Sequence, residues 1–595
     1  MGAQAKDFVE FLARAHQKVW QVLPLVPTGY GDSPYASSCA IAGSPYLIDI
    51  EALIAQGLLT KEEAEEYSCA AAGEEIGRVN YEALFYRRIP LLKLAFSRFD
   101  RQTPAFRAFL KEGVFADFAA FMAIKEAHGW RALSTWEEKY RVRDKEALNA
   151  FLAANEDEVL FWQFTQYEFF RQWGELKSYA NARGIEIMGD MPLYVSEDSV
   201  EVWAHPELFL LNGDGTPTEV AGVPPDYFSE DGQLWGNPLY NWKKMKQDGY
   251  AWWTARLQKA LSMYDIVRID HFRGFDRFYA IPAGSKNARV GCWRDGPKEG
   301  LFEGKKDWKI IAEDLGILDD GVYRLMRNTG YPRMKVLEFA FDGNPEQEFK
   351  PSNYDENCVV YTGTHDNATF IEFLEDLDED TREIFYRDLV SECKKAGVRF
   401  VISLVQKYTT VHLTVKDLID RGELGKINYL RFRNCHSGSI DHWLPAHFYN
   451  LKECGGGAMI DLGAHGMYLI DWLLGEPKTY QSAFTHACRD EKDAILNPDG
   501  IEDNAVTVMT YEDGTIAINE TGFVTKGFPM TMEVGGDKGY VVAASGKVTL
   551  NGTEVPLIPA QDAPIIAFMK GETPEGAGMA QARALTRMML GAYGK

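Results

Sequence analysis

Paired cysteines are missing from this sequence of 595 residues. No Cys-x-x-Cys pair occurs, and no group of cysteines and histidines has the spacing of a zinc site. The eight cysteines stand singly, at Cys39, Cys69, Cys292, Cys358, Cys393, Cys435, Cys454 and Cys488. This pattern argues against a disulfide scaffold and a bound metal, and it is typical of buried thiols in a reducing compartment.

Long apolar runs and an excess of positive charge are missing as well. No stretch approaches the roughly 20 apolar residues of a membrane-spanning helix, and residues 1–20 are amphipathic without the apolar core of a signal peptide. Acidic residues outnumber basic ones by 87 to 63, which gives a net charge of −24. Such a charge repels nucleic acid and anionic membrane surfaces but not a neutral substrate. We therefore expect a cytoplasmic protein with neither of these partners.

The chain does contain a clear change of pattern near residue 185. Residues 49–180 are mostly helical in pattern, which predicts a helical insertion at about 50–180. An apolar run at 20–25 precedes the insertion, and further runs follow it at 185–190, 266–270, 309–313, 336–341 and 359–366. Helical stretches separate most of these runs. Strands that alternate with helices predict a parallel sheet or an α/β barrel, whose chemistry lies at the carboxyl ends of the strands.

Beyond residue 385 the pattern changes again. Residues 398–405 and 427–433 read as strands, and short alternating runs with Gly turns fill 505–558, which predicts an open antiparallel sheet. A helix is expected at 575–590. We thus predict two domains, 1–385 and an α+β domain at 386–595.

Three carboxylates stand at the ends of predicted strands, namely Asp270, Glu313 and Asp366. Cleavage of a glycosidic bond with retention needs two carboxyl groups, one as nucleophile and one as acid and base. Neighbouring strand ends of a barrel can hold two such groups at the required separation of about 5–5.5 Å. The strand ends alone do not name a reaction, because a single Asp or Glu there is often a helix cap or an ion-pair partner.

The segments around these carboxylates are more specific. In chain order they are Val26-Pro-Thr-Gly-Tyr-Gly-Asp-Ser-Pro-Tyr35, Ser44-Pro-Tyr-Leu-Ile-Asp49, Gly189-Asp-Met-Pro192, Gly222-Val-Pro-Pro-Asp-Tyr-Phe228, Trp235-Gly-Asn-Pro-Leu-Tyr240, Val267-Arg-Ile-Asp-His-Phe-Arg-Gly274, Ile311-Ala-Glu-Asp-Leu-Gly316 and Thr362-Gly-Thr-His-Asp-Asn367. Together they resemble the 4-α-glucanotransferases (amylomaltases, glycoside hydrolase family 77) over about residues 6–385. The resemblance implies a (β/α)₈ barrel that transfers α-1,4-glucan segments between malto-oligosaccharides without metal or cofactor.

The same resemblance implies a role for individual residues. Asp270 would be the nucleophile that forms a glucosyl-enzyme intermediate, Glu313 the general acid and base, and Asp366 the group that stabilises the transition state. Arg268, two residues before the nucleophile on the same strand face, would keep Asp270 ionised. The remaining sugar-binding residues would be Tyr35, Asp190, Asp226, Trp235, His271 and His365. The family also has a strand before the first helix of this chain and another after the third carboxylate. Neither is recognisable, so we expect an incomplete barrel that lacks its first and last strands.

A second resemblance covers about residues 390–595. Leu418-Ile-Asp-Arg-Gly-Glu-Leu-Gly-Lys-Ile427, Gly455-Gly-Gly-Ala-Met-Ile-Asp-Leu-Gly-Ala-His465 and Asp471-Trp-Leu-Leu-Gly-Glu-Pro477 look like the C-terminal domain of Gfo/Idh/MocA oxidoreductases. In that family an Asp-x-x-x-His pair, here Asp461 and His465, faces the nicotinamide. The Gly-x-Gly-x-x-Gly motif of the family's cofactor domain is missing, so we interpret the pair as a remnant.

Three hypotheses follow from the sequence. The first is a retaining 4-α-glucanotransferase that acts on malto-oligosaccharides or α-1,4-glucan. The second is a nicotinamide-dependent sugar oxidoreductase, against which the missing glycine motif argues. The third is a catalytically inactive fusion that only binds glucan. The open sheet near the C-terminus could join subunits into a homo-oligomer, as it does in the oxidoreductase family.

Overall fold

The computed structural model describes residues 1–29, 31–68, 79–225, 229–316, 318–341, 344, 346–395, 397–498 and 500–594. The chain forms two compact units, unit 1 at Met1–Thr381 and unit 2 at Arg382–Lys595. Within the described residues, no helix has the length and apolar character that crossing a membrane requires.

The centre of unit 1 is a six-stranded sheet in which every neighbouring pair of strands is parallel. In sheet order, which is also chain order, its strands are Val19–Gln21, Glu186–Met191, Ile266–Ile269, Ile310–Ala312, Arg333–Val336 and Cys358–Tyr361. The strands at 186–191, 266–269 and 310–312 are mostly apolar and buried, as parallel sheets require, and Asp190 and Arg268 are buried charged residues within them. The ordered strands explain why the polar residues that follow them meet at one edge of the sheet.

The fifth strand differs from the prediction. The sequence pattern predicts a strand at 336–341, whereas the strand is Arg333–Val336 and Leu337–Ala340 form a 3₁₀ turn. The prediction is wrong because the neighbouring strand ends with Tyr361, which pairs with Val336, and the described residues offer no ladder partner beyond that point. The amide of Glu338 instead donates to the carbonyl of Thr362 at 3.1 Å.

The region between the first two strands is helical. Its α-helices are Ile50–Ala55, Lys61–Glu66, Tyr81–Arg98, Pro104–Glu112, Ala116–Ala127, Glu138–Arg141, Lys145–Ala154 and Glu156–Asn181. The last of these buries Phe161, Phe164 and Phe169 and packs on Ala116–Ala127 and on the sheet. The other α-helices of unit 1 are Ala3–Arg14, Val200–Ala204, Trp242–Met245, Ala251–Met263, Asp320–Thr329 and Phe370–Asp376, and Glu379–Lys395 runs across the boundary between the units.

A second, four-stranded sheet in unit 1 was not predicted. It is antiparallel, with Gln233–Pro238, Glu219–Val223, Arg277–Pro282 and Cys292–Asp295 as neighbours in that order. Its strands come from the loops that follow the second and third strands of the parallel sheet. It therefore stands at the carboxyl ends of that sheet, where Gln233–Pro238 brings Trp235 to the site described below.

Unit 2 is built on an eight-stranded sheet. In sheet order its strands are Thr479–Thr485, Asn504–Thr510, Ile516–Gly522, Ile427–Cys435, Thr531–Gly536, Tyr540–Ala544, Lys547–Leu550 and Thr553–Glu554. Every pair is antiparallel except Ile427–Cys435 with Ile516–Gly522, which is parallel. The sheet is thus mixed rather than purely antiparallel, because the long connection between these two strands, which contains helices, allows a parallel crossover.

Three helices pack on one face of this sheet, namely Thr410–Asp420, Ala464–Leu474 and Met579–Tyr593. A π-helical turn at Met459–Gly463 precedes the second of these, and the other helices are Leu451–Cys454, Glu491–Leu496 and Pro564–Met569. The strand predicted at 398–405 is wrong. Val398 and Phe400 are exposed and 398–404 pair with no strand among the described residues, so the apolar run has no sheet to join.

Candidate active site

A cleft of about 740 Å³ opens at the carboxyl ends of the parallel strands of unit 1. It is lined by Ser33, Tyr35, Ala36, Pro192, Leu193, Tyr194, Ser196, Glu197, Gln233, Trp235, Gly236, Asn237, Asp270, His271, Glu313, His365 and Asp366. All three carboxylates singled out in the sequence line this one cleft. Polar and ionisable groups make up most of its lining, and the aromatic rings of Tyr35, Tyr194 and Trp235 stand among them, a composition that suits a ligand rich in hydroxyl groups.

A buried arginine links two of the acidic strand ends. Arg268 Nη1 contacts Asp190 Oδ1 at 2.6 Å, and Arg268 Nη2 contacts Asp270 Oδ1 at 3.1 Å. The Arg268 Nε group also lies 3.2 Å from the sulfur of Met334. Arg268 and Asp190 are register partners on adjacent strands, so the pairing of the strands fixes where these two charged groups lie. Two of the three charges are almost completely buried.

Glu313 is held by the backbone. Its Oε2 accepts from the amide of His271 at 2.6 Å, and its Oε1 accepts from the amide of Leu315 at 2.7 Å. The side chain is buried at the end of the strand next to that of Asp270. This arrangement fixes both oxygens of the carboxyl group before any ligand binds.

Burial raises the pKa of both carboxyl groups of this pair. For Asp270, burial raises the pKa and the Arg268 guanidinium opposes the rise. For Glu313, burial and then the nearby Asp270 charge raise the pKa further, and the Arg268 charge and the two backbone donors oppose the rise only in part. The first proton of the pair therefore resides on Glu313. Arg268 favours the ionised form of Asp270, as the sequence predicts, but burial has the larger effect.

Tyr35 links the second strand of the sheet to the segment that follows the last strand. Its hydroxyl donates to Asp190 Oδ2 at 2.5 Å and lies 2.9 Å from His365 Nε2. The rings of Tyr35 and His365 are stacked, with centroids 5.6 Å apart and planes 7° from parallel. Both oxygens of Asp190 are thus occupied, one by Arg268 and one by Tyr35. Asp366 is different, because 84% of its side chain is exposed, with His365 Nε2 at 3.5 Å.

His271 and Trp235 form an aromatic corner of the cleft. The ring of His271 meets Trp235 edge to face at 4.8 Å, and the Trp235 indole N–H donates to Gln233 Oε1 at 3.0 Å. Burial and the Arg273 charge lower the pKa of His271 to about 3, so its ring is neutral at neutral pH. Its backbone is left-handed, with φ of 52°, and such conformations cluster at functional sites. Among the described residues, no group pairs with its Nε2.

Nine of the ten predicted residues of this site are described. Tyr35, Trp235, Asp270, His271, Glu313, His365 and Asp366 line the cleft, while Asp190 and Arg268 lie beneath it. Asp226 lies outside the described residues. Sequence reasoning missed Tyr194, Glu197, Gln233 and Asn237, although Tyr194 and Glu197 follow the predicted strand at 185–190 within a few residues and could have been found from that position.

The predicted pair of unit 2 is arranged differently. Asp461 lies in the π-helical turn, and His465 lies in the helix that follows. The Nδ1 of His465 is bound to the hydroxyl of Tyr468 at 2.8 Å, and that hydroxyl also accepts from the amide of Gln406 at 3.0 Å. Neither unit contains, within its described residues, three or more acidic, His or Cys groups placed to hold a metal ion.

The fold and the cleft together define a class of protein. Ionisable side chains converge at the carboxyl ends of parallel strands, as they do in α/β enzymes. The sequence model of glycoside hydrolase family 77, described as 4-alpha-glucanotransferase, matches residues 1–429. The chain therefore belongs to the 4-alpha-glucanotransferase family, whose members are glycosyl-transferring enzymes. The model of the GFO/IDH/MocA C-terminal domain matches residues 412–542, so the two matches overlap by a short segment.

Individual relatives agree with this family. The 4-alpha-glucanotransferase of Thermus thermophilus is 48% identical over 382 residues, which are 62% of this chain and 75% of the relative. That of Streptococcus pneumoniae is 42% identical over 442 residues, with 72% and 86% covered. The solved structure of amylomaltase from Streptococcus agalactiae in complex with acarbose has a TM-score of 0.61 and 42% identity, covering 64% of this chain and 79% of that one.

Proposed function

We propose that unit 1 transfers α-1,4-glucan segments between malto-oligosaccharides with retention, through a glucosyl intermediate on Asp270. The observation that carries this proposal is that two carboxyl groups of one cleft lie in different electrostatic environments. Asp270 is ion-paired with Arg268, whereas Glu313 is buried and has the more strongly raised pKa. Two carboxyl groups whose environments separate their pKa values are what a nucleophile and an acid require.

The chemistry then follows in two steps. The Asp270 carboxylate attacks the anomeric carbon while Glu313 gives its proton to the leaving glycosidic oxygen. Glu313, now ionised, removes a proton from the 4-hydroxyl of an acceptor sugar, which attacks the anomeric carbon and releases Asp270. Each step inverts the anomeric centre, so the product keeps the α configuration. The backbone amides of His271 and Leu315 stabilise Glu313 in its ionised form between the two steps.

The remaining side chains bind and position the sugar in this proposal. Trp235 offers an aromatic face, and the neutral His271 ring and His365 offer hydrogen bonds to hydroxyl groups. Exposed Asp366 would contact sugar hydroxyls directly, and we retain Asp226 as a groove residue. Asp190 takes a different part, because Arg268 and Tyr35 occupy both its oxygens, so it positions those two side chains.

We further propose that the six parallel strands are those of a (β/α)₈ barrel without its first and last strands. The proposed domains are 1–385 and 386–595, close to the limits of the two units. In unit 2, Asp461 and His465 are proposed as an inactive remnant, since His465 Nδ1 is bound to Tyr468. The sheet face of unit 2 that its helices leave uncovered is the proposed surface for a homo-oligomer.

The test is incubation of the purified chain with maltotriose alone and chromatography of the products. We expect glucose together with maltopentaose and longer chains, and we expect Asp270→Asn to abolish them while its thermal unfolding stays cooperative. Folded protein that leaves maltotriose unchanged would rule out transfer and favour a chain that only binds glucan. Release of glucose without longer chains would indicate hydrolysis instead.

A further inference from the structure

The two edge strands of the parallel sheet are joined by one side-chain hydrogen bond. Val19–Gln21 and Cys358–Tyr361 stand at opposite ends of the strand order, and each pairs with a neighbour on one side only among the described residues. Even so, the hydroxyl of Tyr361 donates to Oε1 of Gln21 at 2.8 Å. The sheet therefore curls until its edges meet through these two side chains, which we call the Gln21–Tyr361 bridge.

The bridge rests on the same residues that support Arg268. The Tyr361 hydroxyl lies 3.9 Å from the sulfur of Met188, and the Tyr361 ring packs on the buried cluster of Met188, Ile311 and Met334. The sulfur of Met334 also lies 3.2 Å from Arg268 Nε. A shift of Tyr361 is thus transmitted to the floor beneath Arg268 through side chains in direct contact, because packed interiors do not deform freely.

The last strand has few packing contacts on the side where the bridge lies, because a cavity adjoins it there. A cavity of about 270 Å³ lies there, lined by Gln21, Val22, Leu23, Arg268, Met334, Tyr361, Gly363, Thr364 and His365. The strand Cys358–Tyr361 is held by its ladder to Arg333–Val336 and is open at its other edge among the described residues. The bridge is the hydrogen bond that ties its end to the opposite edge of the sheet.

Two site residues follow this strand directly. His365 and Asp366 come four and five residues after Tyr361, in a turn that Asn367 Oδ1 closes by accepting from the amide and hydroxyl of Thr364 at 2.9 and 2.8 Å. This turn reaches the opposite side of the cleft through the contact between Tyr35 and His365. The placement of His365 and Asp366 relative to Asp270 thus depends on where the last strand ends.

We propose that Gln21 and Tyr361 are positioning residues, whose bridge holds His365 and Asp366 in register with Asp270 and Glu313. This inference rests on the proposed transfer reaction. Neither residue touches the reacting atoms, and their effect is exerted through the last strand and through the floor beneath Arg268.

The experiment compares Tyr361→Phe, Gln21→Met and the double variant with the unchanged chain. Tyr331→Phe is the matched control, because it also removes a hydroxyl bonded within unit 1, to the carbonyl of Lys305 at 2.9 Å, away from the cleft. The rates of maltotriose transfer give kcat and KM. Hydrogen exchange of peptides that cover 355–368 reports the last strand whether or not the chain is active.

We expect Tyr361→Phe to lower kcat about tenfold, since small misplacements of site residues have large effects on rate. KM should change by less than about twofold, because only transition-state alignment is lost. Gln21→Met should lower kcat by a similar factor, and the double variant should be no slower than either single variant. Gln21→Glu keeps an acceptor oxygen for the Tyr361 hydroxyl, so its kcat should stay close to that of the unchanged chain. Exchange at 355–368 should rise in Tyr361→Phe and not in Tyr331→Phe.

Three results would overturn the proposal. The first is Tyr361→Phe with unchanged exchange at 355–368. The second is additive loss of rate in the double variant, and the third is an equal loss of rate in Tyr331→Phe. If the unchanged chain transfers no glucan, the proposed function fails, but faster exchange confined to 355–368 in Tyr361→Phe and Gln21→Met would still support the bridge.

Discussion

Both units contain a predicted acid near a histidine, but among the described residues only the acids of the unit 1 site are held by hydrogen-bonding partners. Asp270 is paired with Arg268, and Glu313 is bound by two backbone amides. In unit 2 no donor among the described residues lies within hydrogen-bond distance of the Asp461 carboxylate, and His465 is bound to Tyr468. The comparison teaches that a matching pair of residues is not yet a site, since the groups that orient them matter as much.

The largest expected effect comes from comparing an acid-to-amide substitution in unit 1 with one in unit 2. Glu313→Gln removes the proposed proton donor, and we expect the transfer rate from maltotriose to fall about 10²–10⁴-fold. Asp461→Asn should leave that rate unchanged. With α-maltosyl fluoride, whose leaving group needs no protonation, the Glu313→Gln variant should lose less rate in the first step. A loss of rate in Asp461→Asn as large as that in Glu313→Gln would erase the distinction between the units.

The second effect concerns pH. The proposed mechanism requires Asp270 ionised and Glu313 protonated, so the rate should fall at low pH as Asp270 gains a proton and at high pH as Glu313 loses one. The Asp190 charge is one of the larger causes that raise the pKa of Asp270, whereas burial and the charges of Asp270 and Arg268 are the larger causes for Glu313. Asp190→Asn should therefore move the acid limb of the pH–rate profile down by about one pH unit and move the alkaline limb by less. An upward shift of the acid limb would contradict this assignment.

The third effect tests the contacts that Asp190 makes. Tyr35→Phe removes the hydroxyl that reaches both Asp190 and His365. Loss of hydrogen bonds worth about 1 kcal/mol should lower kcat/KM for maltotriose about fivefold. The thermal midpoint should move little, because the ring and its stacking on His365 remain. A Tyr35→Phe variant as active as the unchanged chain would mean that the Tyr35 hydroxyl contributes nothing to the site.

The smallest effect concerns the stability of unit 2, in which His486 is paired with an aspartate. His486 Nε2 lies 2.6 Å from Asp493 Oδ2, and this partner raises the pKa of His486. Stability from a raised pKa is complete below the unfolded value of about 6.5 and is lost as pH rises through the folded value. His486→Gln should thus reduce the unfolding free energy by about 1 kcal/mol at pH 5.5, and by less at pH 8.5.

The matched control for this measurement is His447→Gln, which changes an exposed histidine of the same unit. Denaturant unfolding of both variants at the two pH values checks the prediction. An equal loss of stability for His486→Gln at both values would show that its ion pair with Asp493 does not titrate in this range.

Much of the parallel sheet could be predicted from the sequence, because its strands are apolar runs that end on polar residues. The exception at 336–341 arose because an apolar run does not reveal where the neighbouring strand ends, and Tyr361 is the last residue that can pair. The same limit explains the parallel pair in unit 2, since strand direction depends on the path of a long connection rather than on local pattern.

For the site, the ends of the predicted strands and the family resemblance led to Asp270, Glu313 and Asp366, but they could not give the surroundings of these residues. The exposure of Asp366 and the burial of Glu313 depend on how deeply each strand end is covered. The antiparallel sheet that presents Trp235 was also missed. Its strands follow one another only after long loops, so no short hairpin signal marked them in the sequence.

The charged groups of Asp190, Arg268 and Asp270 have a consequence for ligand selectivity. Among the described residues, Arg268 is the one cation in direct contact with Asp190 and Asp270, and Glu313 carries a proton at neutral pH. The cluster therefore keeps one uncompensated negative charge in a place that water screens weakly. A sugar-shaped amine that is protonated should be retained more strongly than a neutral molecule of the same outline. That preference should disappear in acid, once Asp270 is neutral.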